Sequence, residues 1–117
     1  METTLTLAQT DREELQEFVR AVSERYEDVL DRIILFGSGA RGTLGMESDL
    51  DVLVVLKRRS LKISKEIHRI ATDLLLRYGR YLSVKTLPES MYRELQALET
   101  PFMVHLAHDG KVLWKKG

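Results

Sequence analysis

Apolar positions recur at helical spacing near the start of the chain, where Leu15, Phe18, Val19, Val22 and Tyr26 stand between charged residues. Thr10 followed three residues on by Glu13 is a capping-box signature that marks the start of this amphipathic helix. The pattern then tightens to Arg32-Ile33-Ile34-Leu35-Phe36, a β-branched and aromatic run ended by glycines, which reads as a strand buried on both faces. A Gly/Ser-rich turn comes next. Residues 49–56 alternate at first and then become continuously aliphatic, predicting a second central strand.

From Ser60 the period changes again: Ile63, Ile67, Ile70, Ala71, Leu74, Leu75 and Tyr78 form one helical stripe, closed by Gly79. Residues 81–87 read as a third strand, Pro88 can open a helix carrying Met91, Leu95 and Leu98, and Pro101 restarts a short helix through Phe102 and Leu106. Asp109-Gly110 turns into a last strand over 111–114. With no repeat, linker or low-complexity segment, residues 1–117 are expected to form one domain. The order of elements predicts an α+β fold, an α/β sandwich with helices packed against a mixed sheet.

The 117 residues are 44% hydrophobic and 31% charged, the balance of an ordinary globular protein. Eighteen basic and 18 acidic side chains cancel, so net charge gives no reason for coating nucleic acid or an anionic membrane, and direct nucleic-acid binding is not expected. The lack of cysteine removes disulfides, thiolate chemistry and cysteine-based metal sites. The start, METTLTLAQTDREE, lacks the basic end and apolar core of a signal peptide, and no later apolar run is long enough to span a bilayer. A cytoplasmic location is expected.

Gly37-Ser38-Gly39-Ala40-Arg41-Gly42 satisfies the dinucleotide fingerprint GxGxxG. Its context does not fit, because a dozen or so residues between the two strands leave no room for a full crossover helix. The acidic residue expected after the second strand is also missing, since Lys57-Arg58-Arg59 stands there. A better reading joins the glycines to the acids that begin the second strand. Asp49 and Asp51 lie two apart on a strand, so their carboxylates share one face, about 6.5 to 7 Å apart at the backbone. Two such acids raise one another's pKa unless a cation sits beside them, and hard oxygen ligands suit magnesium. Gly37 and Gly39 can bring backbone N–H groups close to an anion, and Ser38 can add its hydroxyl.

Gly37-Ser38, ten intervening residues and Asp49-Leu50-Asp51 resemble the signature of the DNA polymerase β-like nucleotidyltransferase superfamily. Ala40-Arg41-Gly42 and Ser48 resemble its small prokaryotic branch, and the chain as a whole resembles the minimal nucleotidyltransferases encoded beside a HEPN-domain partner, the MntA-like antitoxins of MntA-HepT pairs. The resemblance implies transfer of a nucleoside monophosphate from a nucleoside triphosphate, ATP in the similar antitoxins, with release of pyrophosphate. Asp49 and Asp51 would hold Mg2+, Gly37 and Ser38 would bind the terminal phosphates, and Arg41 would neutralise them. The implied acceptor is a tyrosine hydroxyl of a cognate HEPN-family toxin, with which the chain would form a hetero-oligomer.

One departure stands out. Active members of the superfamily usually carry a third carboxylate on a later strand, but Tyr81-Leu82-Ser83-Val84-Lys85-Thr86 contains no acid. Ser83 or Lys85 takes that position, depending on register, and neither deprotonates a hydroxyl as an aspartate does. Glu47 and Glu89 are conceivable substitutes. The alternative expectation is therefore a catalytically weak or inactive protein of the same fold that neutralises its partner by binding alone.

Other features read as structural. His105, His108 and Asp109 are expected at a solvated helix end rather than around a metal, and Lys57, Arg58, Arg59, Lys62 and Lys65 on a wet loop and helix face. Tyr26, Tyr78, Tyr81 and Trp114 are expected in packing, and Met91 and Met103 as core filler.

Overall fold

The computed structural model describes residues 7–42, 45 and 48–117. Helix α1 (Gln9–Tyr26) is followed by strand β1 (Leu30–Phe36), the five-residue helix α2 (Gly37–Arg41) and strand β2 (Leu50–Leu56). Helix α3 (Leu61–Tyr78) leads to strand β3 (Leu82–Pro88), and helices α4 (Glu89–Leu98) and α5 (Pro101–Asp109) precede the last strand, β4 (Lys111–Lys115). The four strands form one sheet in the order β3-β2-β1-β4, with β2 parallel to β3 and β1 antiparallel to both of its neighbours. The mixed sheet and packed helices are those expected. The antiparallel pairing of β1 with β2 also excludes the dinucleotide-binding unit, whose corresponding strands are parallel.

The alternation of side chains along the strands divides the core in two. Ile33 and Leu35 of β1, Val52 and Val54 of β2, and Val84 of β3 face α1 and α3, where Phe18, Val22, Ile67, Ala71 and Leu74 meet them. The opposite face presents Ile34, Leu53 and Val55 to Tyr92 of α4 and to Met103 and Leu106 of α5. Both faces of the two central strands are thus covered, which is why their sequences read as near-continuous aliphatic runs.

Helix ends follow local chemistry, and two differ from expectation. Helix α1 begins before Thr10: its N-cap is Ala8, no side chain caps it, and Glu13 instead accepts a hydrogen bond of 3.1 Å from Gln9 Nε2. The Gly/Ser-rich turn is itself the short helix α2, closed by Gly42 at φ 77°. Pro88 still pairs with Leu56 in the sheet, and α4 opens at Glu89 behind it. In α4 the fully buried side chain is Tyr92; of the expected stripe Met91 and Leu95 are half-buried, Leu95 packed against the same core, and Leu98 is 66% exposed. Tyr81 also lies outside the packing assigned to it, at 44% exposure. Ser60 and Thr100 cap α3 and α5 by accepting from the backbone N–H groups of Ile63 and Met103, and Gly79 closes α3 at φ 91°. Met103 is buried as expected, and Lys57, Arg58, Arg59, Lys62 and Lys65 are exposed.

Candidate active site

The register between β1 and β2 sets the site, because Phe36, the last residue of β1, stands opposite Asp51. Paired residues share a face, so the carboxylate of Asp51 lies beside the point where the chain leaves β1 for α2. Gly37 occupies that point at φ 71°, a left-handed conformation that suits glycine. A Cβ at Gly37 would fall 2.3 Å from Asp51 Oδ2, so the turn and the carboxylate fit together only because residue 37 has no side chain. Behind them the rings of Phe36 and Phe102 meet edge to face at 5.4 Å, tying the turn to α5.

A Cβ at Gly39 would meet Leu50 Cδ2 at 3.0 Å and Leu35 Cδ1 at 3.5 Å, so the missing side chain lets α2 settle on the two central strands. The strand β2 starts at Leu50, leaving Asp49 exposed just before it, while Asp51 is half-buried. The pKa of Asp51 is raised, first by burial and then by the charge of Asp49, against opposing pulls from Lys85 and Arg41. Asp49 thus acts on Asp51 by its charge, from a position just before the strand on which both were expected.

The parallel register with β3 decides the third position. Ser83 stands opposite Asp51, and Lys85 opposite Leu53 on the same face. No carboxylate occurs along Leu82–Pro88, and the ammonium of Lys85 is felt at Asp51 instead. Glu89, one conceivable substitute, is engaged by Arg93 at 2.5 Å one turn along α4, and Glu47 lies outside the described residues. Arg41 is exposed at the end of α2, where its charge opposes the rise at Asp51. At the end of α5, the helix end expected to be solvated, the pKa of Asp109 is lowered, first by its hydrogen bond with His108 and to a lesser extent by the charge of Arg41. His108 is indeed solvated, 2.8 Å from Asp109 and 85% exposed. Among the described residues no group of three or more His, Cys, Asp or Glu gathers around a point.

The donor set suits magnesium. Mg2+ dehydrates reluctantly and is commonly bound by one or two carboxylates together with substrate phosphates and water. Asp49 and Asp51 supply such a pair, and the charge of Asp49, second to burial in raising the pKa of Asp51, is one that a divalent cation would offset. Arg80, to which no motif drew attention, holds the approach to Asp49 by hydrogen bonds to the carbonyls of Gly45 and Ser48.

Comparison with known proteins agrees with this geometry. The family described as "Nucleotidyltransferase domain" matches residues 15–99. A Methanocaldococcus jannaschii protein named "Putative protein adenylyltransferase" is 39% identical over 87 residues, covering 70% of this chain and 88% of its own length. A crystal structure of a toxin-antitoxin with AMP-PNP superposes with a TM-score of 0.55 at 18% identity, covering 86% of this chain and 73% of the other. The complex of a tri-AMPylated Shewanella oneidensis HEPN toxin with an MNT antitoxin matches with a TM-score of 0.51 at 16% identity, over 92% of this chain and 73% of the other. At these identities the two structures speak for the fold. Among the described residues no helix is long and apolar enough to cross a membrane.

Proposed function

The chain belongs to the nucleotidyltransferase domain family, and from that premise we propose that it transfers AMP from ATP to a protein hydroxyl, a tyrosine of a cognate HEPN-family toxin, and so acts as an antitoxin. The observation that carries the reading is the fit of Gly37 against Asp51, where a missing Cβ leaves a backbone turn and a carboxylate in contact distance. The closeness of turn and carboxylate supports reading the first as a phosphate-binding group and the second as a metal-binding one, side by side. The names of the similar proteins support the choice of adenylyl transfer and of a HEPN partner.

In this reading Asp49 and Asp51 hold Mg2+, which when bound neutralises charge on the phosphoryl oxygens and the leaving group. Gly37 and Ser38 receive the terminal phosphates, and Arg41 at the end of α2 adds a positive charge to the same pocket. The acceptor oxygen forms a bond to the α-phosphorus, the bond from that phosphorus to the oxygen bridging to the β-phosphorus breaks, and pyrophosphate leaves with the electron pair. The hydroxyl proton passes to solvent, because β3 offers Ser83 and Lys85 where a carboxylate base would stand. Orientation and fixed charge are therefore this chain's contributions to the rate.

That substitution on β3 favours a second reading, in which the fold is kept, nucleotide is held, and the partner is neutralised by a bound surface alone. Incubation with α-labelled ATP, Mg2+ and the product of the neighbouring gene separates the two. Label on the partner that disappears in Asp49→Asn supports transfer. A stable complex that never acquires label overturns transfer and supports binding.

A further inference from the structure

Asp49 precedes the sheet, so the ladder that orients Asp51 does not reach it. Hydrogen bonds to Arg80 and Tyr81, the two residues before β3, bracket it instead. On one side the Arg80 guanidinium donates to the carbonyl of Ser48 at 2.6 Å and to that of Gly45 at 2.9 Å. On the other, the N–H of Leu50 donates to the carbonyl of Tyr81 at 3.0 Å. Arg80 is itself anchored from behind: its Nε donates to Asp11 of α1 at 2.8 Å, with the two side chains only 18% and 7% exposed. A planar fork with five N–H donors can meet a carboxylate on one edge and carbonyls on another, which a single ammonium cannot do. Charge-assisted bonds in a half-buried position are also among the stronger ones available.

We propose that Arg80 is a positioning residue for the Asp49–Asp51 pair, locking the loop that enters β2 onto helix α1. The inference rests on the reading of that pair as a metal site and adds a residue that touches neither metal nor nucleotide. Supporting residues behind a metal site change metal affinity by about 10- to 100-fold when lost, and Arg80 acts one step back from Asp49, so the lower end of that range is expected.

Two measurements on the full chain test it, both at a temperature where circular dichroism shows every variant folded. Hydrogen exchange in the segment 45–50 reports the lock without any ligand, and Mn2+ binding followed by electron paramagnetic resonance reports its consequence. In Arg80→Met the segment should exchange at least about tenfold faster and Mn2+ should bind about tenfold more weakly, with Arg80→Lys recovering part of both. Arg77→Met removes the exposed pair with Glu17, at 2.9 Å in the native protein, and should leave both readouts at wild-type values. Unchanged exchange in Arg80→Met overturns the lock. Faster exchange with wild-type Mn2+ affinity overturns the positioning role, as does an equal loss in Arg77→Met. If the wild-type protein shows no Mn2+ binding sensitive to Asp51→Asn, the metal reading itself fails and positioning goes with it, while the exchange data still judge the lock.

Discussion

Glu14 lies on the buried stripe of α1 with no exposed surface, and among the described residues neither carboxylate oxygen has a hydrogen-bond partner. Its pKa is raised from 4.5 to about 7, first by burial and then by the neighbouring charge of Asp11, with Arg80 pulling the other way. In the unfolded chain the group returns to its ordinary value. Below that value both states carry the proton and folding incurs no penalty. As pH rises towards 7 the unfolded chain releases its proton while the folded one keeps it, so stability falls, and above 7 the loss is complete. A displacement of that size corresponds to about 3 kcal/mol at most, a large share of the 5 to 15 kcal/mol typical of a domain. Glu14→Gln keeps the shape of the protonated acid and removes the ionisation. Urea unfolding of both proteins at pH 5 and pH 8 isolates the effect from all other titrating groups by the difference of differences. The glutamine variant should gain about 2 to 3 kcal/mol relative to wild type on going from pH 5 to pH 8. A gain below about 1 kcal/mol with unchanged denaturant slopes, or one of opposite sign, refutes the assignment of a buried acid that resists ionisation.

Gly37→Ala should cost about 1 to 2 kcal/mol for the left-handed backbone, visible as a drop of several degrees in melting temperature. The variant should stay folded yet lose Mn2+ binding, because the new Cβ meets Asp51 Oδ2; native Mn2+ affinity would show that the contact does not matter. Asp51→Asn should abolish transfer while raising metal-free stability at neutral pH, since it removes a carboxylate whose ionised form is disfavoured. A lower melting temperature in metal-free buffer would count against that repulsion. Lys85→Ala removes a charge that holds the Asp51 pKa down, so carbon-13 titration of the Asp51 carboxyl should find it titrating at higher pH than in wild type. No change would place Lys85 too far from the acid to act on it.

The central strands were legible because burial on both faces leaves an aliphatic run that few other environments tolerate, whereas the start of β2 at Leu50 leaves Asp49 just outside the strand that the spacing assumed. What stayed hidden has physical causes. Five residues that include two glycines are too few to show a helical period, so α2 read as a turn. Helix α1 starts at Gln9 without a side-chain cap, which leaves Thr10 and Glu13 as a capping pattern inside the helix. The choice between Ser83 and Lys85 depended on a parallel register formed across the whole of α3, and nothing local encodes it. In α4 a ten-residue amphipathic pattern admits two neighbouring faces, and the packing of Tyr92 beneath Arg32, 5.1 Å from its ring centre, selects one. Arg80 carried no motif, since its partners are backbone carbonyls that any residue supplies.

Transfer and binding make different demands on the same pocket. Holding a nucleotide requires a cation between the acids and the phosphates, the task proposed for Asp49, Asp51 and the Gly37 turn in both readings. Transfer further requires that the acceptor oxygen lose its proton as the new bond forms, and in a three-acid site the residue on β3 assists. Here that strand contributes Ser83 beside Asp51 and, two pairs further along on the same face, the ammonium of Lys85. A lysine there cannot bind a second metal ion, but it supplies a fixed positive charge on the face where the phosphates would lie. The charge balance of the pocket is then two acids against Lys85 and Arg41 instead of three acids against metal alone. In the proposed reading one divalent ion would make that pocket attractive to a triphosphate, and transfer would have to proceed without a carboxylate base on β3. A slow, single-metal adenylyltransferase and a nucleotide-holding binder are therefore neighbouring outcomes of one architecture, separated by how readily the partner's own hydroxyl gives up its proton.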